Sequence, residues 1–204
     1  SSLASGGVEE ASLEADLLLM KALGLDRARL YSWPKRPIAP QEKEALAKDL
    51  SRRLGGEPWP YICGHREFYG LDMAVGPGVF IPRPETELLV ELALEMARSL
   101  PAGQPLRIAD VGTGSGAIAV SLAVHLPQAV IYATDISSRA LETARLNCQR
   151  HLVQERVTLL EGNLLEPVPQ AVDIVISNPP YVPSADIPHL SREVRFEPLA
   201  ALDG

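Results

Sequence analysis

Leu106-Arg107-Ile108-Ala109-Asp110-Val111-Gly112-Thr113-Gly114-Ser115-Gly116-Ala117 runs from an apolar stretch through three alternating glycines into a helical pattern. A strand, a glycine turn and a helix in that order open a βαβ unit. The alternation continues downstream. Leu106 to Val111, Val130 to Thr134, Val157 to Leu160 and Val172 to Ser177 read as strands, short and rich in β-branched residues. Ala117 to Leu126 and Ser137 to His151 read as helices, the second with Leu141, Ala144 and Cys148 on one side. The pattern predicts an α/β fold, a Rossmann-like doubly wound parallel sheet. Such sheets bind ligands outside the carboxyl ends of their strands, so the strand ends are where chemistry is sought.

Four strand ends carry informative residues. After the first, Gly112, Gly114 and Ala117 also satisfy the G-x-G-x-x-A pattern of dinucleotide-binding enzymes, so a dehydrogenase competes on spacing alone. Asp110 shifts the balance. A carboxylate ahead of the glycines would repel a pyrophosphate at the mouth, yet would welcome an amino group or the sulfonium of S-adenosylmethionine. Asp135, 25 positions on at the second strand end, can accept from both ribose hydroxyls of either cofactor, and can alternatively cap the following helix. At the third end, Asn163 could meet an adenine amino group while Leu164 packs on the ring.

The fourth end is Asn178-Pro179-Pro180-Tyr181. Two prolines stop the ladder and hold the backbone extended and stiff. The asparagine side chain and a proline carbonyl can grip a planar –NH2 group, and the tyrosine can lie over it. Taken alone, the tetrad could equally be a tight strand-end turn. Beside an adenosine-sized pocket it suits methyl transfer better than hydride transfer.

Ahead of the sheet, Leu13, Leu17, Met20 and Leu23 recur at helical spacing between about Ser12 and Gly24. Asp26 to Trp33 reads as a short capped helix. Pro40 opens a third, with Leu46, Leu50 and Leu54 as its apolar stripe and Gly55-Gly56 as its stop. Pro58-Trp59-Pro60 reads as a linker. Glu67 to Val75 and Val79 to Ile81, flanking Gly76-Pro77-Gly78, read as a β-hairpin. Pro84 suits a first helical position, and Leu88, Leu92 and Met96 form the stripe of the helix that follows. The organisation expected is a helical N-terminal domain over 1–57, a linker with a hairpin over 58–83, and the α/β domain over 84–204.

The chain has 204 residues, 46% of them hydrophobic and 22% charged, and a formal net charge of −7, with a pI near 5.1. That balance argues against affinity resting on phosphate neutralisation. Cys63 and Cys148 are far apart and the four histidines are scattered, so neither a metal nor a disulfide framework is expected. No apolar run approaches the roughly 18–20 residues that span a bilayer.

The chain resembles the peptide chain release factor N5-glutamine methyltransferases (the HemK/PrmC family). The resemblance rests on Gly64-His65-Arg66-Glu67-Phe68-Tyr69-Gly70, Phe80-Ile81-Pro82-Arg83-Pro84-Glu85-Thr86-Glu87, Asp110 to Gly116, Ser177 to Val182, and Val194-Arg195-Phe196-Glu197-Pro198. Of these, Pro82 to Glu87 is the most specific, since the glycine loop and the tetrad occur across many methyltransferases. It implies an S-adenosylmethionine-dependent methyltransferase sheet and transfer of a methyl group to the glutamine amide in the Gly-Gly-Gln loop of class 1 release factors. S-adenosylhomocysteine is the implied product. Gly112, Thr113, Gly114, Ser115, Gly116, Asp135, Asn163, Leu164, Asn178, Phe80 and Asp110 would line the cofactor site, and Asn178, Pro179, Pro180 and Tyr181 would hold the amide. At Asn163 the family commonly has an acidic residue, and at Leu164 often an aromatic. A cytoplasmic monomer that does not bind nucleic acid directly is expected. The family fold also has further strands after the tetrad, and these C-terminal strands are missing from the 204 residues. An adenine-N6 nucleic-acid methyltransferase and a non-catalytic cofactor-binding subunit are the competing readings, because the same tetrad can hold a flipped base.

Overall fold

Four parallel strands, β3 (Arg107–Val111), β4 (Val130–Asp135), β5 (Val157–Glu161) and β6 (Ile174–Ser177), build the central sheet in the order β5-β4-β3-β6. The computed structural model describes residues 2–8, 10–100 and 105–204. Two compact units divide the chain, Ser1–Cys63 and Gly64–Gly204.

The first unit is helical: α1 (Ser2–Ser5), α2 (Ala11–Leu23), α3 (Arg27–Ser32), α4 (Pro40–Leu54) and α5 (Trp59–Cys63). Asp26 caps α3 by accepting from the Arg29 amide at 2.8 Å, and Pro40 occupies the first position of α4. Leu46, Leu50 and Leu54 pack on a core of Leu3, Leu18 and Ile62. Leu18 is the buried residue of α2, whereas Leu13 of the expected stripe is exposed. The run Leu17-Leu18-Leu19-Met20 is apolar on every side, so periodicity alone does not choose the inner face. Trp59 and Pro60 of the expected linker open α5, with Pro58 just ahead of it. Proline is tolerated in a first helical turn, where its missing N–H has no partner to lose. Because the core is small, partly buried ion pairs such as Arg53–Glu14 and Arg52–Glu57 add to it.

The second unit begins with a hairpin, β1 (His65–Phe68) against β2 (Leu71–Ala74), pairing His65 with Ala74 and Phe68 with Leu71. Its turn is Tyr69-Gly70, with φ of 51° and 73°, not Gly76-Pro77-Gly78. A two-residue loop with both central residues at positive φ matches the twist of the strands, and Pro77 has no N–H to offer a ladder. Residues 79–81 therefore continue as irregular chain towards the site. After a turn at Pro84–Thr86 comes α6 (Glu87–Ser99), then α7 (Ala117–His125) and α8 (Ser138–Arg150) alternating with the strands. Helix α6 carries two apolar stripes. Val90, Ala93 and Leu94 are buried, and the expected stripe of Leu88, Leu92 and Met96 is exposed.

Ile108, Ile131, Ala133, Ile174 and Ile176 of the sheet join Ala119, Leu122 and Cys148 of the helices in one core. Inside it lies Asn147 of α8, wholly buried and fully engaged. Its Nδ2 donates to the carbonyls of Ala74 (3.0 Å) and Ser115 (2.8 Å), and its Oδ1 accepts from the Ala74 amide (2.7 Å). One side chain thus ties the hairpin and the glycine loop to α8. Strand β6 stands at the sheet edge and Val175 on it is exposed. The strand order reverses between β3 and β6, and Val111 is level with both Thr134 and Ser177. That reversal opens a crevice at the carboxyl ends.

Candidate active site

The crevice holds a cavity of about 270 Å³, close to the lower end of the volumes that small-molecule sites occupy. Its walls come from the ends of all four strands, from Gly78, Val79, Phe80, Pro82 and Thr86, and from Pro198, Ala200 and Ala201. Of the predicted site residues, Gly112, Thr113, Gly114, Ser115, Asp135, Asn163, Leu164, Asn178, Pro179, Pro180 and Phe80 all line it. Asp110, Gly116 and Tyr181 do not.

Each of the three has a physical reason. Gly116 sits at φ 79° before α7, where an added Cβ would lie 3.0 Å from the Cβ of Ala144. Its missing side chain serves helix packing, not ligand approach. Tyr181 is 73% exposed and lies outside the lining. Asp110 is not at the mouth. It is fully buried, with Oδ2 accepting from the Thr113 hydroxyl (2.6 Å) and the Ala119 amide (3.1 Å). It braces the glycine loop against the first turn of α7.

The other strand ends are preorganised. Asp135 Oδ2 accepts from the Gly114 amide and Oδ1 from the Ser137 amide, each at 2.9 Å. It therefore steadies the loop and the start of α8 together, although Ser137 supplies the helix cap proper, accepting from Ala140 at 3.2 Å. A carboxylate has about four lone-pair sites, so two remain. Leu164 takes φ 48°, and its carbonyl accepts from the Thr134 hydroxyl (2.8 Å). Asn163 donates through Nδ2 to Glu166 at 3.3 Å, which leaves Oδ1 for a donor such as an exocyclic amine. Ser177 donates to the Val111 carbonyl at 2.8 Å, locking β6 to β3 one residue before Asn178.

Sequence reasoning missed Thr86, Glu166 and the function of Glu197. Asn178 Nδ2 donates to Thr86 Oγ1 at 3.2 Å. Glu197 is buried and accepts from the Ile81 amide at 2.9 Å while pairing with Arg83, whose guanidinium lies 4.7 Å from the Phe80 ring centroid. For Thr86 and Glu197 the signal was present, since each stands in one of the motifs that carry the resemblance, but the partners they meet are 92 and 114 residues away; for Glu166 there was none.

Asp110 Oδ1 has no hydrogen-bond partner among the described residues. That oxygen lies beneath the glycine loop and outside the cavity lining, so Asp110 is a buried carboxyl that supports the loop and not a ligand contact. The residues that do line the cavity fit the nucleoside of S-adenosylmethionine: Asp135 has lone pairs left for the ribose, and Asn163 Oδ1 is left for the adenine amine. Burial pushes the Asp110 carboxyl up to about 6, against the opposing pull of its bonds from Thr113 and Ala119, and the Asp135 charge adds to the rise. The folded chain thus binds this proton more tightly than the unfolded chain. Its contribution to stability is lost as pH rises from about 4 to about 6, by about 3 kcal/mol. Unfolding midpoints of the cofactor-free protein, measured at about pH 4.5 and about pH 7, should fall less in Asp110→Asn than in the parent. Parallel pH dependences would show that Asp110 is ordinary.

Residues 1–64 match the PrmC N-terminal domain family and residues 85–191 the methyltransferase small domain family. The chain is 46% identical over 203 residues to a release factor glutamine methyltransferase of Moorella thermoacetica, covering 99% of this chain and 71% of that protein. It is 48% identical over 204 residues to one of Geobacter sulfurreducens, covering 99% and 69%. Among solved structures, the hMettl16 catalytic domain matches with a TM-score of 0.51 at 17% identity, over 81% of this chain and 57% of that one, a likeness of fold.

Proposed function

The chain belongs to the release factor glutamine methyltransferase family, and from that premise we propose that it methylates the side-chain amide nitrogen (N5) of the Gly-Gly-Gln glutamine in class 1 release factors. The observation that carries the reading is the place of Asn178. Its carboxamide lines the same cavity as the glycine loop and Asp135, next to two prolines that fix the backbone.

S-adenosylmethionine supplies, when bound, a methyl group on a positively charged sulfur, and leaves as S-adenosylhomocysteine. Asp135 would hold its ribose, Asn163 and Leu164 its adenine, and the 112–115 loop its backbone-facing side. The protein's own task is to make an amide nitrogen a competent nucleophile. Asn178 Oδ1 and the Pro179 carbonyl are two acceptors that can take both N–H hydrogens of the glutamine amide and raise electron density on its nitrogen. Fixing that nitrogen in orientation converts an encounter into an effectively unimolecular step. The proton is lost only as the new N–C bond forms, so water suffices to accept it.

The bulk charge of −7 favours a protein substrate over a polyanion. Among the described residues Cys148 is a free, buried thiol and no helix is long and apolar enough to cross a membrane. A free thiol such as that of Cys148 suits the reducing cytoplasm, where translation takes place. The test is incubation with methyl-labelled S-adenosylmethionine and either a class 1 release factor, the same factor with the glutamine replaced, or DNA. Label on the intact factor alone is the expected result. Label on DNA, or on the glutamine-less factor at the same rate, would refute the assignment.

A further inference from the structure

We propose that Thr86 is the positioning residue that decides which end of the Asn178 carboxamide faces the substrate; this rests on the glutamine-methylation reading above. An asparagine side chain ends in a torsion with two nearly equivalent orientations. One presents Oδ1 to an incoming N–H, and the other presents Nδ2, which repels it. Thr86 Oγ1 accepts from Nδ2 at 3.2 Å, and both residues line the cavity. With Nδ2 engaged there, Oδ1 is the atom left for the substrate.

Thr86 can act as a reference point because its own position is overdetermined. Its amide donates to the Arg83 carbonyl at 3.0 Å, closing the turn Pro84–Thr86. Glu197 holds the start of this segment through the Ile81 amide and the Arg83 guanidinium. On the other side Glu87 accepts from the Tyr69 amide at 3.0 Å. Proline at 82 and 84 removes backbone freedom between these anchors. A β-branched side chain on such a backbone has few rotamers to choose from, which is what a fixed acceptor requires.

The experiment compares Thr86→Val, Thr86→Ala, Thr86→Ser and Asn178→Ala with the parent, using labelled S-adenosylmethionine and a class 1 release factor. Thr86→Val keeps the shape and removes the acceptor; Thr86→Ala removes it without any possible clash. Both should lower kcat about 10–100-fold at unchanged KM for the factor, with cofactor Kd and unfolding midpoint unchanged. Thr86→Ser should restore most of the rate. Thr86→Val combined with Asn178→Ala should be no slower than Asn178→Ala alone, since Thr86 acts only through Asn178. If Asn178→Ala is inactive while Thr86→Val and Thr86→Ala keep kcat within about twofold of the parent, the Thr86 assignment fails and the parent reading stands. If the Thr86 variants lose rate only in proportion to lost folded protein, the role is structural and the assignment fails as well. An active Asn178→Ala would instead remove the reading on which this rests.

Discussion

Asn178→Ala is expected to lower methyl transfer to a release factor by about 10²–10³-fold or more, the range lost when one preorganised hydrogen-bonding group at a reacting centre is removed. Several observations make the effect large. The side chain lines the cavity and is held through Nδ2 by Thr86. The backbone before it is locked by the Ser177 hydroxyl on the Val111 carbonyl, and the backbone after it is stiffened by Pro179 and Pro180. The chain beyond is tied back where Val182 and Asp203 bridge, with the Val182 amide donating to the Leu202 carbonyl at 2.9 Å. Alanine leaves the backbone on both sides standing and removes the acceptor together with its bond to Thr86. A free glutamine amide then has the Pro179 carbonyl as its remaining acceptor and can rotate about that bond. Cofactor affinity should change little, because Asp135 and the glycine loop belong to other strand ends. Single-turnover rates with bound cofactor, set beside calorimetric Kd values, separate the two. Turnover equal to the parent would remove the assigned role of the tetrad.

The parallel sheet and the position of its crevice were legible because β-branched runs, a glycine loop and helical periods succeed one another without interruption from Leu106 to Ser177. Asp135 and Asn178 were legible for the same reason, as each closes a strand and so points to the mouth. What was not legible depends on geometry that local pattern does not carry. Asp110 shares a face with Ile108, since both lie in alternate positions on β3, and only the packing of α7 reveals that this face is the core. The exposed stripe of α6 is as apolar as its buried one, so the choice between them is made by the sheet and not by the helix. The hairpin turn lies at Tyr69-Gly70, where two successive residues take the positive φ that a two-residue loop needs, a conformation that tyrosine does not announce in the sequence as Gly76-Pro77-Gly78 announces a turn. Thr86 and Glu197 meet partners 92 and 114 residues away, and no spacing rule reaches that far.

Asp135→Ala should weaken cofactor binding by about 10²–10³-fold while leaving kcat at saturation within several-fold of the parent. Two hydrogen bonds to a charged acceptor, at about 1.5–3 kcal/mol each, account for that range once some of the loss is recovered by water. The variant also releases the Gly114 and Ser137 amides, both of which Asp135 now satisfies at 2.9 Å, so the glycine loop loses its anchor to β4 at the same time. These two contributions can be told apart. Asp135→Asn has only one acceptor oxygen, and its –NH2 must face one of those two N–H groups, so it should fall between the parent and alanine. A cofactor analogue lacking one ribose hydroxyl supplies the other arm of a double-mutant cycle. It should bind more weakly than the natural cofactor to the parent and equally well to Asp135→Ala. If the analogue is discriminated as strongly by the alanine variant, the ribose is held elsewhere and Asp135 serves only to pin the loop. If Asp135→Ala binds cofactor within about threefold of the parent, neither function is its own. The first pattern is expected because the carboxylate reaches the cavity wall with lone pairs to spare, at the strand end nearest the turn that must approach the ligand backbone to backbone.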